Sequence, residues 1–170
     1  MGNTVELVKK YLKPIYVETG CSAGDGILKA IEAGAMKLFG IEPNLEVYSA
    51  CLRKTFGMDF KLFEGTSERF MGLVMSEVDR TMDQAVFFLD AHKVGCCKGE
   101  TYPLKHELSC LKHGRRRDHV IMIDDVRLFG GELPDTRKEV EAVIRKINKD
   151  YQIVYEDSNT NEKDVLVAFV

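Results

Sequence analysis

A glycine-punctuated segment near the N-terminus constrains the fold of this chain more than any other feature of its sequence. The segment reads Val17-Glu18-Thr19-Gly20-Cys21-Ser22-Ala23-Gly24-Asp25-Gly26, and it lies between an apolar run and an amphipathic pattern. Glycines let the backbone turn sharply at the end of a strand, and the first amides of the following helix then point above the sheet. This order of strand, loop and helix is typical of nucleotide-binding α/β folds.

The next apolar run extends this interpretation. It covers residues 37–41 and predicts a second strand, and Glu42 follows it directly. A carboxylate at this spacing is suited to accept hydrogen bonds from ribose hydroxyls. Ser22 stands where the G-x-G-x-x-G motif has the middle glycine that admits a pyrophosphate. We therefore expect a ligand that contains ribose but no diphosphate.

The composition is that of an ordinary globular protein. The 170 residues are 45% hydrophobic and 30% charged, which is enough for one core in a single domain over residues 1–170. The net charge of -3 argues against nucleic acid as the main partner, and no apolar run is long enough to span a membrane. The five cysteines lack framework spacing and the N-terminus lacks a signal-peptide pattern. We therefore expect a cytoplasmic protein with reduced thiols.

Apolar runs and amphipathic patterns alternate along the chain. They predict strands at residues 15–17, 38–41, 60–63, 85–89, 120–123, 151–155 and 165–170. The last two runs are joined by polar residues alone, so we expect them to pair as an antiparallel hairpin. The pattern predicts a three-layer, Rossmann-like α/β fold with a mostly parallel seven-stranded sheet and a C-terminal antiparallel hairpin.

Three details of the helices are also predicted. Asn3 is expected to cap a first helix that ends near residue 12, and residues 25–36 are expected to form the helix after the glycine loop. In the helix predicted over residues 44–56, the spacing places Leu52 and Phe56 on the inward face.

Acidic residues follow five of the predicted strands. Ligands of open parallel sheets bind beyond the carboxyl ends of the strands, so these positions matter for function. Acids also begin loops and cap helices, but five strand ends that all carry them favour one shared ligand site. The positions are Glu18, Glu42, Glu64 to Glu68, Asp90 to Lys93, and Asp124-Asp125.

The ordered set of motifs resembles the class I S-adenosylmethionine-dependent methyltransferases over nearly the whole chain. The likeness is closest to the metal-dependent catechol O-methyltransferase type, and the macrolide-tailoring sugar O-methyltransferases are also similar. Each motif alone is weak, whereas the set in order is fairly specific. The matching segments are Val17-Glu18-Thr19-Gly20 with Gly24, Gly40-Ile41-Glu42-Pro43-Asn44, Glu64-Gly65-Thr66-Ser67-Glu68, Phe88-Leu89-Asp90-Ala91-His92-Lys93 and Ile123-Asp124-Asp125-Val126.

The resemblance implies a binding site for S-adenosylmethionine. It implies that Glu18 and the loop after it hold the methionine part, that Glu42 holds the ribose, and that Ser67 and Glu68 lie beside the adenine. The full set of cofactor-binding residues that it implies is Glu18, Gly20, Cys21, Ser22, Gly24, Glu42, Pro43, Thr66, Ser67, Glu68 and Asp90.

A magnesium site and a catalytic base are implied as well. The resemblance places the ion between two strand ends, with Asp90, Asp124 and Asp125 as ligands, and it makes Lys93 the catalytic base with His92 as the neighbouring candidate. Converging carboxylates repel one another, and a hard divalent cation with oxygen ligands removes that cost. The alternatives are that Asp90 only orients the cofactor and that Asp125 caps the next segment.

The methyl acceptor is not identified by the sequence. Only about a dozen residues precede the first strand, whereas the catechol type carries extra helices there that build part of the substrate wall. A hydroxyl of a small molecule or sugar is the favoured acceptor. A homodimer, in which a second subunit completes the substrate site, is an open alternative. A non-catalytic module that binds S-adenosylmethionine or S-adenosylhomocysteine is an alternative, and a nicotinamide-dependent reductase is a weaker one.

Overall fold

The computed structural model describes residues 3–91 and 102–170, which form alternating strands and helices. The elements are α1 Val5–Lys10, β1 Ile15–Thr19, α2 Asp25–Ala33, β2 Lys37–Glu42, α3 Leu45–Lys54, β3 Phe60–Glu64, α4 Ser67–Thr81, β4 Ala85–Leu89, α5 Leu104–His113, β5 Val120–Ile123, a 3-10 turn Val126–Leu128, α6 Arg137–Ile147, β6 Gln152–Glu156 and β7 Val165–Phe169.

The strands form one seven-stranded sheet in the order β3-β2-β1-β4-β5-β7-β6. The first five are parallel to one another, and β7 runs antiparallel to both β5 and β6. The predicted fold class and the C-terminal hairpin are therefore confirmed. The strand order reverses between β1 and β4, and ligands of such sheets bind in the crevice at that position.

Helices cover both faces of the sheet because the central strands are apolar on both sides. Phe87 packs in the core with Met71 of α4 and Leu108 of α5, while the next residue, Phe88, packs on the opposite face with Ile27 of α2. Successive residues of a strand point to opposite faces, so continuous apolar runs such as β4 need a layer on each side. Among the described residues, no helix has both the length and the apolar character needed to cross a bilayer.

Two helix boundaries differ from the sequence-based expectation. Thr4, and not Asn3, is the N-cap of α1, and its hydroxyl accepts the Leu7 amide at 3.0 Å. Asn3 is instead buried, and its amide donates to the Tyr16 hydroxyl at 2.8 Å. Helix α2 ends at residue 33 because Gly34 adopts a left-handed conformation, and its amide closes on the carbonyls of Ala30 and Ile31.

The inward orientation predicted for Leu52 and Phe56 is wrong. Leu52 is 43% exposed and Phe56 is 89% exposed, whereas Cys51 is the fully buried member of α3. Helix α3 ends at residue 54, so Phe56 lies beyond it and the helical period no longer sets its direction.

Candidate functional site

The loop after β1 is held against the ends of both neighbouring strands. The amides of Gly20 and Cys21 donate to the Ile41 carbonyl at 2.9 and 3.2 Å, which ties the loop to β2. On the other side, a Cβ added at Gly20 would lie 2.6 Å from the Asp90 carbonyl oxygen. Gly20 has φ +68°, a conformation that favours glycine, so the turn and the close approach both require this residue.

Glu42 joins the loop to the end of β2 through its two carboxylate oxygens. Oε2 accepts the amide of Ser22 and Oε1 accepts the amide of Asn44, both at 2.9 Å. The acid therefore lies beside the glycine loop, as the spacing predicts. Each carboxylate oxygen has a second lone pair, so both hydrogen bonds leave Glu42 able to accept a ribose hydroxyl.

Glu18 is the most unusual side chain at this edge of the sheet. It is completely buried, and neither carboxylate oxygen has a hydrogen-bond partner among residues 3–91 and 102–170. Burial, followed by the nearby charge of Asp90, raises the pKa of Glu18 well above its usual range. Buried polar groups are nearly always paired, and strongly perturbed carboxyl groups in clefts occur most often at functional sites.

A small cleft lies where β1, β2 and α4 meet. Its free volume is only about 10 Å³, far below the usual range for pockets that hold whole ligands. Ser67 is buried there, and its hydroxyl has no hydrogen-bond partner within the described part of the chain. The cleft is lined by Gly20, Ile41, Pro43, Thr66, Ser67, Glu68, Ala91 and Pro103. Five of these eight are residues for which the sequence predicts cofactor binding.

The remaining predicted cofactor residues lie behind or beside this cleft. Cys21 is buried on the α3 side of the loop, and a Cβ on Gly24 would lie 2.9 Å from the Cys51 sulfur. These two positions shape the loop and do not line the cleft. Asp90 follows β4, and its amide donates to the Thr19 carbonyl at 3.2 Å. The predicted base Lys93 and its neighbour His92 lie outside the described residues.

Two larger grooves lie on other elements of the described structure. One runs between α4 and α5 beside Cys110 and His113, and the other lies between α5 and α6 beside Leu108 and Val143. Neither is lined by a described residue that the sequence places in the site. Both lie away from the loop after β1, so we assign the candidate site to the smaller cleft.

An acidic group lies at the end of β5, and its membership differs from the predicted metal set. Oxygens of Asp124, Asp125 and Asp164 lie within 4.8 Å of one another. Arg127 pairs with both Asp125 and Asp164 through one guanidinium nitrogen. Asp90 is not a member of this group.

Carboxylate oxygens suit magnesium, but here two of the three carboxylates already hold a cation. In this arrangement the described residues do not fit a magnesium ion. The predicted ligand set of Asp90, Asp124 and Asp125 remains a prediction.

Sequence reasoning missed Asp164 and Arg127. Asp164 precedes β7, far from β5 in sequence, and the antiparallel pairing of Ile123 with Leu166 brings it to the end of β5. The sequence predicts the hairpin but not which of its strands pairs with β5, so residue spacing alone does not place Asp164 here.

Solved methyltransferase structures match almost the whole chain. A methyltransferase from Geobacter sulfurreducens aligns with a TM-score of 0.65 and 13% identity, over 97% of this chain and 74% of that one. The O-methyltransferase TomG from Streptomyces achromogenes, solved with SAM, aligns at 0.61 and 17% identity over 98% and 77%. An O-methyltransferase from Bacillus cereus, solved with SAH, aligns at 0.61 and 13% identity over 98% and 78%.

No protein-family model matches the sequence, and no curated protein matches it. The structural likeness is at low identity, so it establishes the architecture and leaves the activity to be argued from the site. The chain therefore has the Rossmann-like fold of the class I S-adenosylmethionine-dependent methyltransferases.

Proposed function

We propose that this protein binds S-adenosylmethionine at the carboxyl ends of β1, β2 and β4 and transfers its methyl group to a hydroxyl of a small molecule or sugar. The observation that carries the proposal is the buried carboxyl of Glu18, which has no hydrogen-bond partner among the described residues and lies beneath a glycine loop that Glu42 ties to β2. A buried carboxyl that lacks a partner in the described chain is suited to a cationic ligand, because a positive charge nearby favours its ionised form.

Each part of the site has a separate task in this proposal. Glu18 and the loop at Gly20 face the methionine part, and Glu42 accepts the ribose hydroxyls. Thr66 and Ser67 begin α4, and the small cleft beside them takes the adenine, which is the flat part of the cofactor. With a free volume of about 10 Å³, the cleft must widen to admit that ring.

Methyl transfer requires the protein mainly to align the acceptor hydroxyl with the methyl group. When bound, the sulfonium of the cofactor supplies an activated methyl group. The chain must then hold the acceptor hydroxyl in line with it and remove the hydroxyl proton, which is the task proposed for Lys93 or His92. We propose no step through a magnesium ion, because Arg127 is already paired with Asp125 and Asp164.

A non-catalytic module that binds the cofactor or its product is the second candidate. The small size of the described cleft favours it, since binding of the adenosine part alone would give the Ser67 hydroxyl the hydrogen-bond partner that it lacks within the described chain. Calorimetric titration with S-adenosylmethionine, S-adenosylhomocysteine and NADH separates the candidates by ligand. Mass spectrometry of a catechol, phenol and sugar panel then separates the enzyme from the module.

The expected result is saturable binding of both sulfur nucleosides, no binding of NADH, and a methylated product from at least one acceptor. Binding without product across the panel would support the module over the enzyme. Binding of NADH alone would overturn both candidates.

A further inference from the structure

Arg127 lies in the 3-10 turn after β5, and its side chain crosses to the segment before β7. One guanidinium nitrogen donates to carboxylate oxygens of both Asp125 and Asp164. The backbone amide of Arg127 also donates to Asp164 at 3.0 Å, and the amide of Val126 donates to the Asp164 carbonyl at 2.9 Å. Three hydrogen bonds therefore join these two segments, one from the Arg127 side chain and two from backbone amides.

The negative charges of Asp124, Asp125 and Asp164 require a compensating positive charge. Asp164 is 1% exposed and Asp124 is 2% exposed, and oxygens of these residues and of Asp125 approach within 4.8 Å of one another. Ionised carboxylates this close together and shielded from water repel strongly, unless a cation lies between them or one is protonated. Arg127 supplies that cation, and a guanidinium stays charged at any pH at which a protein is folded.

The backbone holds Asp125 in this arrangement. Asp125 has φ +55°, a left-handed conformation that is uncommon outside glycine and that aspartate tolerates better than most residues. Its carboxylate is directed to Arg127, only two residues further along the chain. A cation that is attached to the chain at such short range does not need to be recruited from solution.

We propose that Arg127 is a built-in cation that takes the place of a divalent metal ion in the group formed by Asp124, Asp125 and Asp164. Magnesium requires near-octahedral oxygen ligands and gives up its water reluctantly, so it competes poorly with an attached guanidinium for carboxylates that are already paired. The wild-type protein then needs no divalent cation at this position. Removal of the guanidinium leaves three converging carboxylates and creates a divalent-cation site. This inference does not depend on the proposed methyl transfer, because its readout is metal binding.

Calorimetric titration with MgCl₂ and MnCl₂ tests the proposal on four proteins: the wild type, Arg127→Met, the double variant Arg127→Met with Asp164→Asn, and Arg117→Met. Arg117 is an exposed arginine in the turn before β5 and serves as the matched control. We expect Arg127→Met to bind Mn²⁺ or Mg²⁺ at least about tenfold more tightly than the wild type. The double variant should lose that gain, and Arg117→Met should behave as the wild type.

Folding of the variant gives a second readout. Without its cation the group destabilises the fold, so the melting temperature of Arg127→Met should fall and should recover when millimolar Mg²⁺ or Ca²⁺ is added. If Arg127→Met is unfolded, recovery of its circular dichroism spectrum on addition of the ion supports the proposal. Tight binding of Mg²⁺ by the wild type would overturn it. A variant that neither binds nor is rescued by any of the three ions would overturn it as well.

Discussion

At the residue scale, the position of Gly26 shows how closely the buried carboxyl of Glu18 is enclosed. A Cβ at this position would lie 2.1 Å from Glu18 Oε1, and that carboxyl is itself fully buried. Overpacking of a full site costs about 1–3 kcal/mol, so Gly26→Ala should lower the free energy of unfolding by that amount and weaken cofactor binding. Urea denaturation with and without S-adenosylhomocysteine measures both effects.

Gly72 provides the matched control because it is also helical. It lies within α4, and a Cβ there would have no atom within 4 Å. Alanine is favoured over glycine in a helix by about 0.8–1 kcal/mol, so Gly72→Ala should stabilise the protein. If the two variants changed stability in the same direction, the close enclosure of Glu18 would be disproved.

The raised pKa of Glu18 makes a second prediction at this scale. A carboxyl whose folded pKa lies above its usual value of 4.5 stabilises the folded state below that pH, and this contribution is lost as the pH rises towards the folded pKa. Glu18→Gln cannot ionise. Relative to the wild type, the variant should therefore gain about 1.4 kcal/mol per pH unit above pH 4.5, until the folded pKa is reached. If the free energy of unfolding changed with pH in the same way in both proteins, Glu18 would ionise as readily in the folded chain as in the unfolded one, and the prediction would be wrong.

At the scale of elements, His119 couples β5 to β4. Its Nδ1 accepts the Ala85 amide at 3.1 Å, and its ring contacts Phe87 edge-on. Burial lowers its pKa from 6.5 to about 4. The unfolded chain therefore takes up a proton first, and stability present above pH 6.5 is lost as the pH falls towards 4.

His119→Asn tests this coupling. Asparagine keeps an acceptor for the Ala85 amide but does not titrate. The variant should have a lower free energy of unfolding than the wild type at pH 7, because packing is lost. It should also lack the fall in the free energy of unfolding, up to about 3 kcal/mol, that the wild type shows between pH 6.5 and 4. His113→Asn, at an exposed position on α5, is the control and should keep the wild-type pH slope.

The exposed turn after α3 makes a further prediction at this scale. Phe56 is 89% exposed, whereas Met71 of α4 is fully buried. Phe56→Ser should change the free energy of unfolding by less than about 0.5 kcal/mol, and Met71→Ala should lower it by about 2–5 kcal/mol. Chemical denaturation compares the two directly, and a large loss for Phe56→Ser would mean that this ring is covered in solution.

The sequence predicts the strands better than it predicts the helix ends. β4 is found where its continuous apolar run places it, because a strand buried on both faces has few alternatives. Helix α2 is shorter than expected because a single left-handed residue, Gly34, stops it. The side chain of Phe56 is misassigned because the period was extended past the end of α3. The residue pattern predicts the existence of a helix or strand more reliably than it predicts the residue at which that element ends.

The sequence also predicts some residues of the candidate site better than others. Gly20 follows β1, Glu42 ends β2 and Ser67 begins the helix after β3, so the parallel order that the sequence predicts brings them to one edge of the sheet. Arg127 and Asp164 meet through the register of the antiparallel pairing between β5 and β7. That register depends on side-chain packing along β5 and β7, which residue spacing does not contain.

At the scale of the whole molecule, the cofactor should act on global stability. A ligand that binds only the folded state at 100 times its Kd adds about 2.7 kcal/mol, which raises the melting temperature of a chain of this length by about 5–10 °C. S-adenosylhomocysteine should therefore raise the melting temperature of the wild type, and NADH should not.

Titration of S-adenosylhomocysteine into the wild type, Glu18→Gln and Glu32→Gln by calorimetry tests the central claim most directly. Glu32 is an exposed acid near the end of α2, outside the candidate site, and serves as the control for charge alone. The account predicts one-to-one binding by the wild type and Glu32→Gln, and binding at least about tenfold weaker by Glu18→Gln. Equal binding by all three proteins, or no binding by the wild type, would contradict it.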